Sequence, residues 1–191
     1  YDPATNSWDM ASPISEPTSL HSATLLASGK VLVAGGDTFA GRTPNTELYD
    51  SDADSWATGA PLAVQRNLHS ATRLPDGNIL VVGGYDFPTV IANAELYDVQ
   101  SNIWRPAGTS VTARLSHRST LLPSGRVLIV GGRNVAGMLS SAELYAPETT
   151  TSASVSLPST VPGEFYRVDV AVSGVSGVPT GSITVHDDAG E

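Results

Sequence analysis

Cysteine is missing from all 191 residues, which excludes a disulfide framework and any thiolate-held metal centre. Long apolar runs are missing too, since none approaches the ~20 residues that a spanning helix needs. Positive charge is scarce: 10 Lys and Arg stand against 19 Asp and Glu, a net charge of −9. That charge divides into −5 over residues 1–148 (9 against 14) and −4 over the rest (1 against 5). Neither part has a basic patch, so nucleic acid and anionic membranes are poor partners. Amphipathic helical periodicity is absent, and so are the Gly-x-Ser-x-Gly, His-Glu-x-x-His and phosphate-cradling motifs. No catalytic residue, cofactor or metal ligand is assigned from the sequence.

What is present is repetition. "HSATLLASGKVLVAGG" at 21–36 returns as "HSATRLPDGNILVVGG" at 69–84 and "HRSTLLPSGRVLIVGG" at 117–132. His21, His69 and His117 lie 48 apart, as do the glycine pairs, the "ELY" triplets beginning at Glu47, Glu95 and Glu143, and Trp8, Trp56 and Trp104. A fixed period of this size marks stacked or radial architectures whose single unit cannot bury its own apolar face.

Within one unit, "HSATLL" and "KVLVA" are rich in apolar and β-branched residues and are joined by a tight Gly-containing turn, as strands a and b of a hairpin. "NTELYD" gives strand c and "SWATG" a short strand d, with eight patternless residues between b and c. The unit therefore reads as a four-stranded antiparallel meander. Strand b, as "VLVA", "ILVV" and "VLIV", does not alternate, so both its faces must be covered. Blades sandwiched between neighbours in a β-propeller meet that demand. Paired glycines ending the strand fit a place where backbones approach closely or φ is positive.

These residues resemble the kelch family: an apolar strand closed by Gly-Gly, then Tyr and Trp separated by six residues, as in Tyr49 to Trp56 and Tyr97 to Trp104. The wording also resembles galactose-oxidase-like bacterial kelch proteins. The resemblance implies an all-β chain with a partial kelch β-propeller of about three four-stranded blades on the 48-residue repeat, in residues 1–148. Strand a would line the channel and strand d lie outermost. Residues 1–11 read as the end of a strand c plus a strand d. The expectation is a piece of a longer propeller with further blades or, alternatively, a three-unit ring closed by residues 1–11. Beyond Pro147 the composition shifts to Ser, Thr and Val, with alternation at Tyr166, Val168, Val170 and Val172. "GVPTGSITVHD" resembles bacterial Ig-like repeats, which makes 149–191 the N-terminal part of an Ig-like β-sandwich, with further Ig-like domains in the full-length chain.

Two sets of groups are read as structural. The three histidines are expected to hydrogen-bond between blades, because equivalent positions around an axis are too far apart to share a metal. Arg66 and Arg114 are expected to pair with a strand c carboxylate. "DSDAD" at 50–54 has the front of a calcium loop but lacks its distal Glu, so it reads as a solvated turn.

The b–c loops "DTFAGRTP", "YDFPTVIA" and "RNVAGMLS" differ between copies, as loops carrying recognition do. Arg42, Tyr85, Phe87 and Arg133 are the candidate ligand-binding residues there, aromatic faces and carboxylate donors on the b–c and d–a face. The function expected is a non-catalytic binding module, extracellular or at the cell surface, whose partner is a protein or glycan. The alternative is a fragment of a galactose-oxidase-like copper-radical oxidase or another carbohydrate-active kelch enzyme, with its site outside this stretch.

Overall fold

A computed structural model describes residues 1–147, together with the backbone of two later strands. Every helix or strand element among the described residues is a β-strand. The first repeat runs β1 (Ser22–Leu25), β2 (Val31–Ala34), β3 (Asp37–Thr38), β4 (Gly41–Arg42), β5 (Thr46–Asp50) and β6 (Ser55–Thr58). The second runs β7 (Ser70–Arg73), β8 (Ile79–Val82), β9 (Tyr85–Asp86), β10 (Thr89–Val90), β11 (Asn93–Asp98) and β12 (Ile103–Thr109). In the third, β13 (Arg118–Leu121), β14 (Val127–Val130), β15 (Arg133–Asn134), β16 (Gly137–Met138) and β17 (Ala142–Tyr145) follow.

Each repeat makes its own antiparallel sheet, in the orders β1-β2-β5-β6, β7-β8-β11-β12 and β13-β14-β17. The registers repeat, with Val31, Ile79 and Val127 opposite Tyr49, Tyr97 and Tyr145. The b–c segments, patternless in the sequence, each fold into a small hairpin: β3 with β4, β9 with β10, β15 with β16. Such two-residue strands are too short for periodicity to show. The sheets are consistent with consecutive kelch β-propeller blades and are called blades one to three below.

Burial follows neighbours. In blade two, which has a blade on each side, Ile79, Leu80, Val81 and Val82 are all buried. In blade three the same strand exposes Val130 at 43%, and Leu144 of β17 is 48% exposed. Trp56 and Trp104 each reach back to the segment that enters their own blade, donating Nε1–H to the carbonyls of Ser12 and Ala60 at 2.8 and 3.0 Å. Their partners Tyr49 and Tyr97 stack on them at 5.0 Å.

The glycine pairs answer to close backbone approach. The N–H groups of Gly36 and Gly84 donate to the carbonyls of Arg66 and Arg114 in the next blade, at 2.8 and 2.9 Å. A Cβ on Gly35 or Gly83 would sit 2.5 Å from those same oxygens, and φ is +64° and +60°. No side chain fits there.

The ends of the described region differ from expectation. Residues 1–11 form a turn closed by an Asp2–Ser7 bridge rather than a strand. No described strand lies beside them, and a lone two-residue bridge does not propagate. Among the described residues they do not pair with blade three, whose sheet has the order β13-β14-β17. β18 (Thr150–Ala153) pairs antiparallel with β19 (Val170–Ser173), Thr150 opposite Ser173. The remainder of the expected Ig-like sandwich, including Tyr166 and Val168, lies outside the described residues.

Candidate functional site

The b–c hairpins share one face with the segments that enter strand a. Backbone bridges Ser19–Asp37, Asn67–Tyr85 and Leu115–Arg133, again 48 apart, tie each entering segment to the first strand of its blade's hairpin. Just beyond those bridges Leu20, Leu68 and Ser116 hold φ of 58°, 54° and 55°. The left-handed region costs an L-residue roughly 1–2 kcal/mol. Hydrogen bonds from Leu68 N–H to Leu20 O (3.1 Å) and from Ser116 N–H to Leu68 O (2.8 Å) offset part of that and link blade to blade. The hairpins thus stand on a floor that is fixed across blade boundaries.

A cleft of about 380 Å³ opens on this face, walled by Arg42 of blade one, Tyr85 and Val90 of blade two, and Arg133 and Val135 of blade three. Leu68 and Leu115 lie beneath. Arg42 lies with its guanidinium carbon 5.2 Å from the Tyr85 ring centre and 5.8 Å from that of Phe87. The two rings meet edge to face, 6.3 Å apart at 86°. Such cation–π contacts contribute about 0.5–1 kcal/mol each at exposed sites, and here they hold a charge against two aromatic faces. Behind Arg42, Asp37 faces its Nε at 3.7 Å and accepts a hydrogen bond from Asn67 Nδ2 at 2.7 Å. Three of the four residues singled out from the sequence therefore line one cleft, and Phe87 stacks on its rim.

The sequence reading missed a second feature of the same face. Phe39, Phe87 and Val135 occupy one repeat position and are 96%, 69% and 91% exposed; Met138 of β16 is 95% exposed. Each hairpin therefore offers an apolar side chain to solvent at its turn. The 48-residue interval carried the signal, because residues 39, 87 and 135 are Phe, Phe and Val, large and apolar in every copy.

Of the residues read as structural, His69, His117, Arg66 and Arg114 are engaged between or within blades, whereas His21 is exposed, with no blade before it among the described residues. His69 Nε2 shares a hydrogen bond with Ser22 Oγ at 2.9 Å, and His117 Nε2 with Ser70 Oγ at 2.7 Å, each between neighbouring blades. Burial of the ring, then the nearby Arg66 and the other imidazoles, pulls His69 down to about 3. Burial, then Arg114 and Arg118, brings His117 to about 4 against the opposing pull of Glu143. Both rings are neutral at pH 7. Arg66 and Arg114 meet Glu95 and Glu143, each at 2.6 Å. Burial pushes the Glu143 carboxyl up, but the Arg114 contact and the N–H groups of Val111 and Thr112 outweigh it, leaving it below the usual range.

In the "DSDAD" turn, Asp50 caps the N–H groups of Asp52 and Ala53 and pairs with Lys30 at 3.0 Å. Asp54 accepts from Tyr49 Oη at 2.6 Å and from both N–H and Oγ of Ser12. The carboxylates of Asp50 and Asp54 are thus engaged by the turn and its neighbours. Among the described residues no group of three or more His, Cys, Asp or Glu is placed to hold a metal ion.

Comparison with known families agrees with this architecture. The kelch motif matches residues 69–110, the stretch of blade two from His69 to the end of β12. No curated protein matches the chain. The matched segment and the all-β sheets around it are consistent with kelch β-propeller blades.

Proposed function

We propose that the chain is a non-catalytic β-propeller binding module that recognises a protein ligand through its b–c hairpin face. One observation carries this reading: Arg42, Tyr85 and Arg133 converge from three blades on a single cleft that Val135 also lines, Phe87 packs on Arg42 and Tyr85 beside it, and the same hairpins expose Phe39 and Met138. Exposed apolar groups beside aromatic and Arg anchors are the composition of a protein-binding hot spot. The two guanidiniums favour a ligand that presents a carboxylate next to an apolar side chain. A location outside the cell or on its surface accords with the acidic, cysteine-free composition and with the Ig-like resemblance beyond residue 148.

The experiment is a screen of the chain on protein and glycan arrays. Any binder is then retested on Arg42→Ala, Tyr85→Ala, Phe87→Ala and Arg133→Ala, and on the a–b turn controls Asp76→Ala and Ser124→Ala. Protein binders lost only in the first group support the reading. Binders that are exclusively glycans replace the ligand class, and binders lost only in the a–b turn variants reverse the face.

A further inference from the structure

Blades two and three each seat an arginine in an equivalent cradle of acceptors. Arg66 donates from Nη1 to the carbonyls of Gly83 (2.9 Å) and Asn93 (3.1 Å), and from Nη2 to Asn93 Oδ1 (3.1 Å) and Glu95 Oε1 (2.6 Å). Arg114 repeats this on Gly131 O, Ser141 O, Ser141 Oγ and Glu143 Oε1, at 2.8, 3.2, 3.2 and 2.6 Å. Blade one has the cradle without the arginine. Gly35, Asn45 and Glu47 occupy the acceptor positions, while Thr18 stands where Arg66 and Arg114 stand.

The space left by the shorter side chain is real. Thr18, Gly35, Asn45 and Glu47, with Glu16 and Thr43, line a partly open cleft of about 10 Å³, room for about one water as it stands. Glu47 is 9% exposed and has no cationic partner among the described residues. It accepts only from Ser15, at 2.7 Å from Oγ and a slack 3.4 Å from N–H, where Glu95 also takes the N–H of Val64 and the guanidinium. Neutral Ser15 satisfies an oxygen without cancelling the charge. A second carboxylate, Glu16, replaces Val64 and Thr112 at the cradle's edge, so the pocket is doubly acidic where its sisters balance. Asn45 is exposed, which leaves the cleft open to an entering group.

We propose that this cleft is a guanidinium-binding site that takes, in trans, the group its sister blades supply in cis. Planar N–H groups spaced to meet two carbonyls, an amide oxygen and a carboxylate define the ligand, and an ammonium cannot span them. The guanidinium comes either from a small molecule such as free arginine or from an arginine of a protein segment. This site is separate from the hairpin cleft and does not rest on the function proposed for it.

The test is a titration of the whole chain with methylguanidinium chloride, followed by NMR on the amides of Ser15, Gly35 and Asn45, with sodium chloride at matched ionic strength. Saturable shifts are expected, at least about tenfold weaker in Glu47→Gln, absent in Thr18→Arg, and not reproduced by methylammonium. Thr18→Arg should also raise the thermal midpoint, as the cradle fills from within. Free L-arginine and a capped Gly-Arg-Gly peptide separate the two sources: tighter peptide binding indicates a protein arginine, and equal or weaker binding a small molecule. Unsaturable shifts, shifts unchanged in Glu47→Gln, or an equal response to methylammonium would overturn the assignment.

Discussion

Arg66 Nη2 stands 2.6 Å from Glu95 Oε1, and neither side chain is more than 3% exposed. Burying two charges is costly unless their remaining hydrogen-bonding capacity is met, and here it is: Arg66 also reaches four further oxygens, and Glu95 two backbone N–H groups. Removing one partner strands the other. Arg66→Ala is expected to lower stability by about 3–5 kcal/mol. Arg105→Ala, which breaks an ion pair with Asp98 at 2.9 Å in which Arg105 is 56% exposed, should cost at most about 1 kcal/mol. Urea unfolding followed by tryptophan fluorescence compares them, and equal midpoints for the two variants would refute the difference.

Glycines with the same sign of φ should differ sharply in their tolerance of a methyl group. Gly83 and Gly77 both have positive φ, +60° and +91°, but a Cβ on Gly83 meets the Arg114 carbonyl at 2.5 Å whereas one on Gly77 meets nothing within 4 Å. Gly77→Ala should cost about 1 kcal/mol, the backbone term alone. Gly83→Ala should cost more than twice that, because it also pushes blade three away from blade two. Thermal melts of the two variants decide the matter, and similar midpoints would contradict the close-approach role.

The interblade histidines make stability depend on pH. His69 and His117 are neutral in the folded chain, at about 3 and about 4, against about 6.5 when unfolded. The unfolded chain therefore binds more protons between those values. Stability is full above about pH 6.5 and falls as pH drops toward 4, with a slope of at most about 1.4 kcal/mol per pH unit for each histidine. The groups facing them act in the same sense, Arg66 on His69 and both Arg114 and Arg118 on His117, with Glu143 opposing. His69→Gln and His117→Gln keep a donor toward Ser22 and Ser70 but cannot titrate. The double variant should flatten the profile between pH 4.5 and about 6.5, as read by chemical denaturation at several pH values. An unchanged slope would mean that other groups carry the dependence.

Much of the fold was legible because the 48-residue period turns one uncertain reading into three concordant ones. Non-alternation in "ILVV" required two covered faces, and blade two shows them; the Gly-Gly pair pointed to close approach or positive φ, and both are present, with the Arg66 and Arg114 carbonyls close by. The small b–c hairpins were not legible, since two-residue strands have no period and are held by backbone bridges to the entering segments. The candidate site was half visible. Residue type picked out Arg42, Tyr85, Phe87 and Arg133, but only the structure stacks Arg42 of one blade on two rings of the next. The empty cradle at Thr18 was hidden for another reason: a substitution that breaks a repeat shows its consequence only when the intact copies reveal what the arginine did.

Recognition through the hairpin face is best tested by selecting peptides from a random display library on the whole chain and retesting the enriched sequences on variants. Peptides carrying an acidic residue beside an apolar one should be enriched. Tyr85→Ala and Arg42→Ala should each weaken them by about tenfold or more, while Asp76→Ala and Ser124→Ala in the a–b turns should leave them unchanged. Enriched peptides that bind all four variants equally, or that are lost only on the a–b turn variants, would contradict a ligand site on the b–c face.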